Sequence, residues 1–216
     1  MNLILLGPPG AGKGTQALRL AEARGYVPLS TGDILREAIA EGTDVGRRAK
    51  SVMAAGELVS DEVIVELISE RLDSLTPDQA FILDGVPRNI AQADAVDSML
   101  AAKGRRLGAV IELRVDDDQL VERVTGRFTC TQCGAGYHDT FRLPRQEGVC
   151  DACGGTEFRR RSDDNADALG ARLEIYHTQT APLLDYYRNR GELLSVDGMA
   201  DADDVARQIE EALDGL

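Results

Sequence analysis

Five short, largely apolar runs punctuate this chain. They are Asn2-Leu3-Ile4-Leu5-Leu6, Tyr26-Val27-Pro28-Leu29, Gln79-Ala80-Phe81-Ile82-Leu83, Leu107 to Val115 and Glu192-Leu193-Leu194-Ser195-Val196. Runs of this length, bounded by turn residues, predict strands buried on both faces. Amphipathic stretches lie between them and predict helices over Gln16 to Arg24, Ile34 to Ala40, Val45 to Ala55, Asp61 to Leu72, Asn89 to Ala102, Asp116 to Gly126, Leu173 to Arg190 and Asp201 to Leu213. Ser30 or Thr31 can cap the second of these and Ser60 the fourth, while Gly42 and Gly56 mark stops. Pro182 implies a kink or break in the long penultimate helix, because its ring fills the place of a backbone N–H. Strands alternating with helices predict an α/β fold with a five-stranded parallel sheet flanked by helices. Three short helices after the second strand form a helical insert, and a stretch rich in turns after Gly126 forms a second.

The sharpest chemical signal follows the first strand. Gly7-Pro8-Pro9-Gly10-Ala11-Gly12-Lys13-Gly14-Thr15 is a glycine-rich turn between a strand and a helix. That context suits a phosphate-binding loop: glycines let several backbone N–H groups turn toward one anion, and the helix N-terminus adds partial positive charge. Lys13 then reaches the outer phosphates as a point charge. Most such loops place Ser or Thr directly after the lysine to ligate magnesium. Here Gly14 stands there and Thr15 comes one later, which weakens the case for direct ligation by the loop hydroxyl. The third strand ends in Asp84-Gly85-Val86-Pro87-Arg88. Ligands of parallel sheets sit at the carboxyl ends of strands, so Asp84 and Arg88 are placed to meet one, and a carboxylate there can hold magnesium through water. Ser30-Thr31-Gly32-Asp33-x2-Arg36 also lies at a strand end, where helix capping beside a solvated arginine is the plainer use of the same residues. Arg123 and Arg127 are spaced to share one helix face.

Cys130-x2-Cys133 and Cys150-x2-Cys153 use every cysteine of the chain, with sixteen residues between the two knuckles. This spacing fits a four-thiolate zinc site; two disulfides are the alternative in an oxidising compartment. Four thiolates fill a tetrahedron, so the metal is expected to be structural, stapling a small β-rich insert with too little core of its own.

Composition narrows the function. The 216 residues are 43% hydrophobic and 28% charged, as globular domains are. The net charge of −13 disfavours a general nucleic-acid binder or an anionic membrane surface. From Gly126 to Asp164 six arginines balance six acidic residues, whereas a nucleic-acid zinc ribbon should be basic. No apolar run approaches a membrane span, and no basic region precedes the first one as a signal peptide would require. A cytoplasmic location is the expectation.

Taken together, the loop, Ser30-Thr31-Gly32-Asp33 and Asp84-Gly85-Val86-Pro87-Arg88 resemble the adenylate kinases, nucleoside monophosphate kinases that transfer a phosphoryl group between ATP and AMP. The resemblance covers essentially the whole chain and includes the long form whose lid binds zinc. It implies a P-loop core over 1–29, 60–125 and 165–216, an acceptor-binding insert over 30–59 and a zinc-binding lid over 126–164. It implies ATP contacts at Gly10, Ala11, Gly12, Lys13, Gly14, Thr15, Arg123, Arg127, Tyr137, His138 and Ala200. It implies AMP contacts at Thr31, Arg36, Glu57, Leu58, Val59, Gly85, Val86, Pro87, Arg88, Gln92, Arg161 and Arg172. Lys13, Asp84, Arg88, Arg123, Arg161 and Arg172 are the implied catalytic groups, with Lys13, Arg88 and Arg123 expected to meet most of the transition-state charge. Magnesium with ATP and a structural zinc ion on Cys130, Cys133, Cys150 and Cys153 are the implied cofactors. ATP, AMP and ADP are the partners, and the family is commonly monomeric. Thr31 with Gln92 favours AMP as acceptor, since kinases for UMP and CMP tend to carry Ala and Asn there. Val86 stands where the family usually has Phe, which implies looser packing near the acceptor nucleoside. The helix start at Ala166-Asp167-Ala168-Leu169-Gly170 is less acidic than is usual, and Gly170 weakens it by about 1 kcal/mol relative to Ala. A pyrimidine monophosphate kinase, or a P-loop and zinc module without catalysis, remains the alternative at this stage.

Overall fold

The computed structural model describes residues 1–54 and 57–216. β1 (Asn2–Leu6) runs into the glycine-rich turn and α1 (Lys13–Arg24), and β2 (Val27–Ser30) follows. The first insert is α2 (Thr31–Glu41) and α3 (Asp44–Ala54), and α4 (Asp61–Asp73) leads back to β3 (Phe81–Asp84), α5 (Ile90–Ala102) and β4 (Leu107–Arg114). The expected end of the third helix at Ala55 and its stop at Gly56 lie outside the described residues.

Next comes a 3-10 turn (Asp117–Gln119), then α6 (Leu120–Thr125) and the second insert of β5 (Arg127–Cys130), β6 (Gly136–His138) and β7 (Phe158–Arg159). The chain closes with α7 (Ala166–Ile175), a π-helical turn (Tyr176–Thr180), α8 (Pro182–Asn189), β8 (Leu193–Asp197) and α9 (Ala202–Asp214).

The five core strands pair in the order β2-β3-β1-β4-β8, all parallel, and β5 to β7 form a separate antiparallel sheet in the order β6-β5-β7. Period-two alternation divides the core. Leu3 and Leu5 of β1 pack with Ile82 and Ile111 against Ala17 and Leu20 of α1 and Val205, Ile209 and Leu213 of α9. Ile4 and Leu6 point the other way, with Leu83 and Val110, toward Ile64 and Ile68 of α4, Val96 and Leu100 of α5 and Leu183 of α8. Apolar runs buried on both faces are what this sandwich requires.

Local chemistry sets the element ends. The Ser30 hydroxyl accepts from the Asp33 N–H at 3.3 Å and caps α2, an arrangement worth about 1 kcal/mol. Ser60 precedes α4 without a side-chain cap bond. Pro182 opens α8 rather than interrupting it. It has no N–H to donate, and the helix re-registers just before it, with the Ala181 N–H reaching the Tyr176 carbonyl at 2.8 Å.

The expected helix over Asp116 to Gly126 is shorter, and Arg127 is not on it. A Cβ on Gly126 would lie 2.4 Å from the His138 ring, so the chain passes close under the imidazole and turns directly into β5. Arg123 and Arg127 therefore sit on different elements rather than on one helix face.

Candidate active site

The strand order places β1 between β3 and β4, and the carboxyl ends of these strands open into one cleft of about 970 Å³. A crevice at that end of an open parallel sheet is where such folds take ligands. Gly10 and Gly12 line it in left-handed backbone conformations, φ 90° and 91°. A Cβ at Gly10 would also stand 2.9 Å from Val124, so glycine is required there on two counts. No side chain caps α1, which leaves the N–H groups of its first turn for a ligand.

Lys13 folds its ammonium back over the loop and donates to the carbonyls of Gly7 (2.7 Å) and Pro8 (3.0 Å). Burial lowers its pKa to about 8; Asp84 opposes that shift, while Arg88, Arg172 and Arg127 add to it. Arg88 is likewise lowered to about 10, first by burial and then by Arg172. Its Nε donates to the Gly85 carbonyl at 2.7 Å, which aims the guanidinium along the strand end. Arg161 is lowered to about 10 and Arg172 is also lowered, in both cases chiefly by burial. Cations crowded and desolvated in this way keep their charge near neutral pH at a cost, and an anionic ligand between them would relieve that cost.

Aspartates hold most of these arginines in the meantime. Arg127 makes a two-pronged pair with Asp164 at 2.9 and 2.5 Å, and Arg172 meets Asp163 at 3.0 Å. Asp33 takes both Arg36 (2.6 Å) and Arg161 (3.3 Å). Burial works to raise the Asp33 carboxyl, but Arg36 and Arg161 outweigh it and hold the pKa below the usual value.

Thr31 is buried, and its hydroxyl donates to the Asp84 carbonyl at 3.3 Å. A Cβ on Gly85 would lie 2.5 Å from that hydroxyl, so the start of α2 and the end of β3 touch across a glycine. Gln92 is buried on α5 and also lines the cleft, as do Glu57, Leu58, Val59 and Pro87.

In the second insert the four cysteine sulfurs lie within 4.8 Å of one another, with Cys130 and Cys153 at 3.7 Å and Cys133 and Cys150 at 3.5 Å. A tetrahedron of sulfurs about 2.3 Å from a zinc ion has edges of about 3.8 Å, so the donor set fits. The two knuckles repeat one backbone design. Gly134 donates to the Cys130 carbonyl at 3.0 Å, and Gly154 donates to the Cys150 carbonyl at 2.9 Å. The Tyr137 hydroxyl donates to the Cys150 sulfur at 3.3 Å and favours its thiolate, lowering that pKa to about 6.

The adenylate kinase family model matches residues 5–192. Among curated relatives, the adenylate kinase of Paramagnetospirillum magneticum is 58% identical over 214 residues, covering 99% of both chains. That of Rhizobium etli is 57% identical over the full length of both, and that of Sphingopyxis alaskensis is 56% identical over 99% of this chain and 97% of its own. The chain belongs to the adenylate kinase family. The five-stranded parallel core and the four-cysteine cluster are those of a long adenylate kinase with a metal-type lid.

Against that family background, several expected site residues stand apart from the cleft. Arg123 is not beside Lys13. Its guanidinium donates to the carbonyls of Gly198 (2.9 Å) and Met199 (3.5 Å), so it meets the turn that carries Ala200. Arg127 is the one of the two that faces Lys13 and lines the cleft. Val86 is buried in the core and does not line the cleft, so its exchange for the usual Phe acts on packing beneath the site.

Tyr137 turns into the lid interior. His138 spends both ring nitrogens away from the cleft: Nε2 donates to the Glu122 carbonyl of α6 at 2.9 Å, and Nδ1 accepts from the N–H groups of Thr140 and Phe141 in the lid. Of that stretch only Gly136 lines the cleft. Ala11 packs with the α1 side of the core. The pairing of these arginines with Asp33, Asp163 and Asp164 is a contact that the fold creates. Their signal is present in Arg161-Ser162-Asp163-Asp164, but a pair of acids reads equally well as solvated.

Proposed function

We propose that this chain transfers a phosphoryl group reversibly from magnesium-ATP to AMP, yielding two ADP. The reading is supported above all by four cations, Lys13, Arg88, Arg127 and Arg172, that converge at the carboxyl end of the parallel sheet. ATP would lie with its phosphates on Gly10 to Thr15 and its base toward Arg123 and Ala200. AMP would lie across Thr31, Arg36, Glu57 to Val59 and Gly85 to Arg88, with Gln92 at its base and Arg161 and Arg172 at its phosphate.

The acceptor oxygen of AMP is already anionic, so no general base is needed. What the reaction needs is two polyanions aligned in line and charge stabilised on the moving group. Lys13 and Arg88 would stand between the two nucleotides, and Arg127 rather than Arg123 would join them there. Asp33, Asp163 and Asp164 would release their arginines to phosphate as the lid closes and excludes water. Magnesium bound with ATP neutralises phosphate oxygens. Asp84, at the carboxyl end of β3, is the carboxylate of this chain that would hold it through water. Cys130, Cys133, Cys150 and Cys153 would hold zinc with no open position, so that ion would supply lid structure and not chemistry.

The division into a core (1–29, 60–125, 165–216), an acceptor insert (30–59) and a lid (126–164) belongs to this proposal, as do action as a monomer and a cytoplasmic location. Among the described residues no helix is long and apolar enough to cross a membrane.

The test is diphosphate formation from magnesium-ATP with AMP, CMP, UMP or GMP. Fast ADP production with AMP is the expected result. Faster turnover of a pyrimidine acceptor would overturn the acceptor assignment, and transfer to none would overturn the reaction.

A further inference from the structure

A side-chain amide selects a base only if its two ends are fixed, because rotation by half a turn exchanges donor for acceptor. Gln92 is fixed at both ends. Its Oε1 accepts from the Arg88 backbone N–H at 2.6 Å, and its Nε2 donates to Asp61 Oδ1 at 3.0 Å. An N–H can only donate and a carboxylate can only accept, so the two anchors agree on one orientation.

Asp61 opens α4, the helix that packs beside α5, and its other oxygen accepts from Asn89 Nδ2 at 2.9 Å. Asn89 in turn caps α5 by accepting from the Gln92 N–H at 2.7 Å. One carboxylate therefore orients two amides.

The amide so held has one N–H and one oxygen lone pair left to offer, and Gln92 lines the cleft. The pair matches a base edge with a ring-nitrogen acceptor beside an exocyclic amino donor. Adenine has that edge. A 6-oxopurine presents the reverse, a carbonyl acceptor beside a ring N–H.

We infer that Asp61 is the positioning residue for acceptor-base selection, because its carboxylate locks the Gln92 amide in the orientation that accepts a 6-aminopurine and rejects a 6-oxopurine. This rests on the proposed transfer to AMP. Asp61 itself would touch no nucleotide; it acts through Gln92.

Asp61→Asn keeps the shape and turns an acceptor-only group into one that also donates, so one of the two amides facing it must reverse. The expected result is a KM for AMP raised about tenfold with kcat at saturation within about twofold of wild type. The kcat/KM preference for AMP over inosine monophosphate should narrow by about tenfold or more, with the KM for ATP unchanged. A purely structural role would lower stability and kcat and leave the AMP to inosine monophosphate ratio where it was.

Asp61→Ala, which offers neither donor nor acceptor, should shift the ratio the same way. Wild type labelled with 15N at glutamine needs no variant to fold: its Gln92 side-chain amide should give two resolved proton signals, the one bonded to Asp61 exchange-protected, and the other should move on adding AMP but not on adding inosine monophosphate. An unchanged ratio in Asp61→Ala that still turns over AMP, or a Gln92 amide with neither proton protected, overturns the inference and leaves the proposed reaction standing. Wild type that turns over neither acceptor overturns both.

Discussion

The P-loop core and the cysteine lid solve the same problem, holding a backbone in place, by different means. The core buries whole strands: Leu3, Ile4, Ile82, Leu83, Val110 and Ile111 have almost no exposure, and helices cover both faces. The lid has three strands of two to four residues, and its buried apolar cluster is Cys130, Tyr137 and Cys150, with Phe128 and Phe158 packed around Tyr137 at ring separations of 5.5 to 5.7 Å. An apolar cluster that small stabilises little by itself, and the four clustered cysteines are placed to make up the difference by holding a metal ion. The core thus carries chemistry on a frame that burial already secures. The lid is a frame that, on the proposed reading, a metal on its four cysteines would secure.

Lys13→Ala gives the strongest separation of the two. Turnover should fall by about a thousandfold or more, because a preorganised cation facing the moving phosphoryl group is lost. Thermal stability should hold or rise, because the amine it removes is partly desolvated and satisfied only by two loop carbonyls. Steady-state kinetics beside calorimetry decide it, and a near-normal rate would remove Lys13 from the mechanism.

The arginine pair sharpens the boundary between regions. Arg127→Ala should lower kcat by about a hundredfold, whereas Arg123→Ala should raise the KM for ATP with less than about a tenfold loss in kcat. The opposite ranking would restore Arg123 to the reacting phosphates.

Cys150→Ser, or chelation of the wild type, attacks the lid alone. Loss of zinc should abolish the lid's own melting transition or lower it by more than about 10 °C, since a unit this small has little other stabilisation. The parallel-sheet core should keep its own transition, and metal analysis should return one zinc per wild-type chain. A single unchanged transition after chelation would contradict the division of labour.

The smallest effect is a proton. Lys13 is lowered from 10.5 to about 8, so its protonated form is disfavoured in the folded chain relative to the unfolded one. That penalty is complete below pH 8 and is relieved as pH rises from about 8 toward 10.5, so this group makes stability increase with pH across that window. Phosphate binding works the other way, because it needs the charged amine. ATP binding at pH 8 should take up about half a proton at Lys13, and affinity should weaken as pH rises further. Calorimetric titration in buffers of different ionisation enthalpy measures the uptake, and Lys13→Ala should abolish it.

Much of this contrast was legible in the sequence because it rests on local pattern. Continuous apolar runs specify a doubly covered sheet, the glycine spacing specifies the loop, and two Cys-x2-Cys knuckles specify the metal cluster. What escaped depends on contacts distant in sequence. Nothing near Arg127 shows that α6 ends early under His138, so its spacing from Arg123 gave a false impression of a shared face. Nothing near Val86 shows that its side chain enters the core while its neighbours line the cleft. Asp61 lies 31 residues from Gln92, and only folding brings the carboxylate to the amide.

The aspartates on Arg36, Arg127, Arg161 and Arg172 act as built-in counterions. Much of the positive charge of a cleft made for polyanions is therefore already paired when it is empty. A lone small anion gains little by entering, since it must displace a carboxylate already well placed. A chain of phosphates displaces several at once and gains cooperatively. In a cell full of inorganic phosphate and acidic polymers, that exchange keeps the arginines available, and it lets a protein of net charge −13 bind nucleotides without a positive surface to attract the wrong ones.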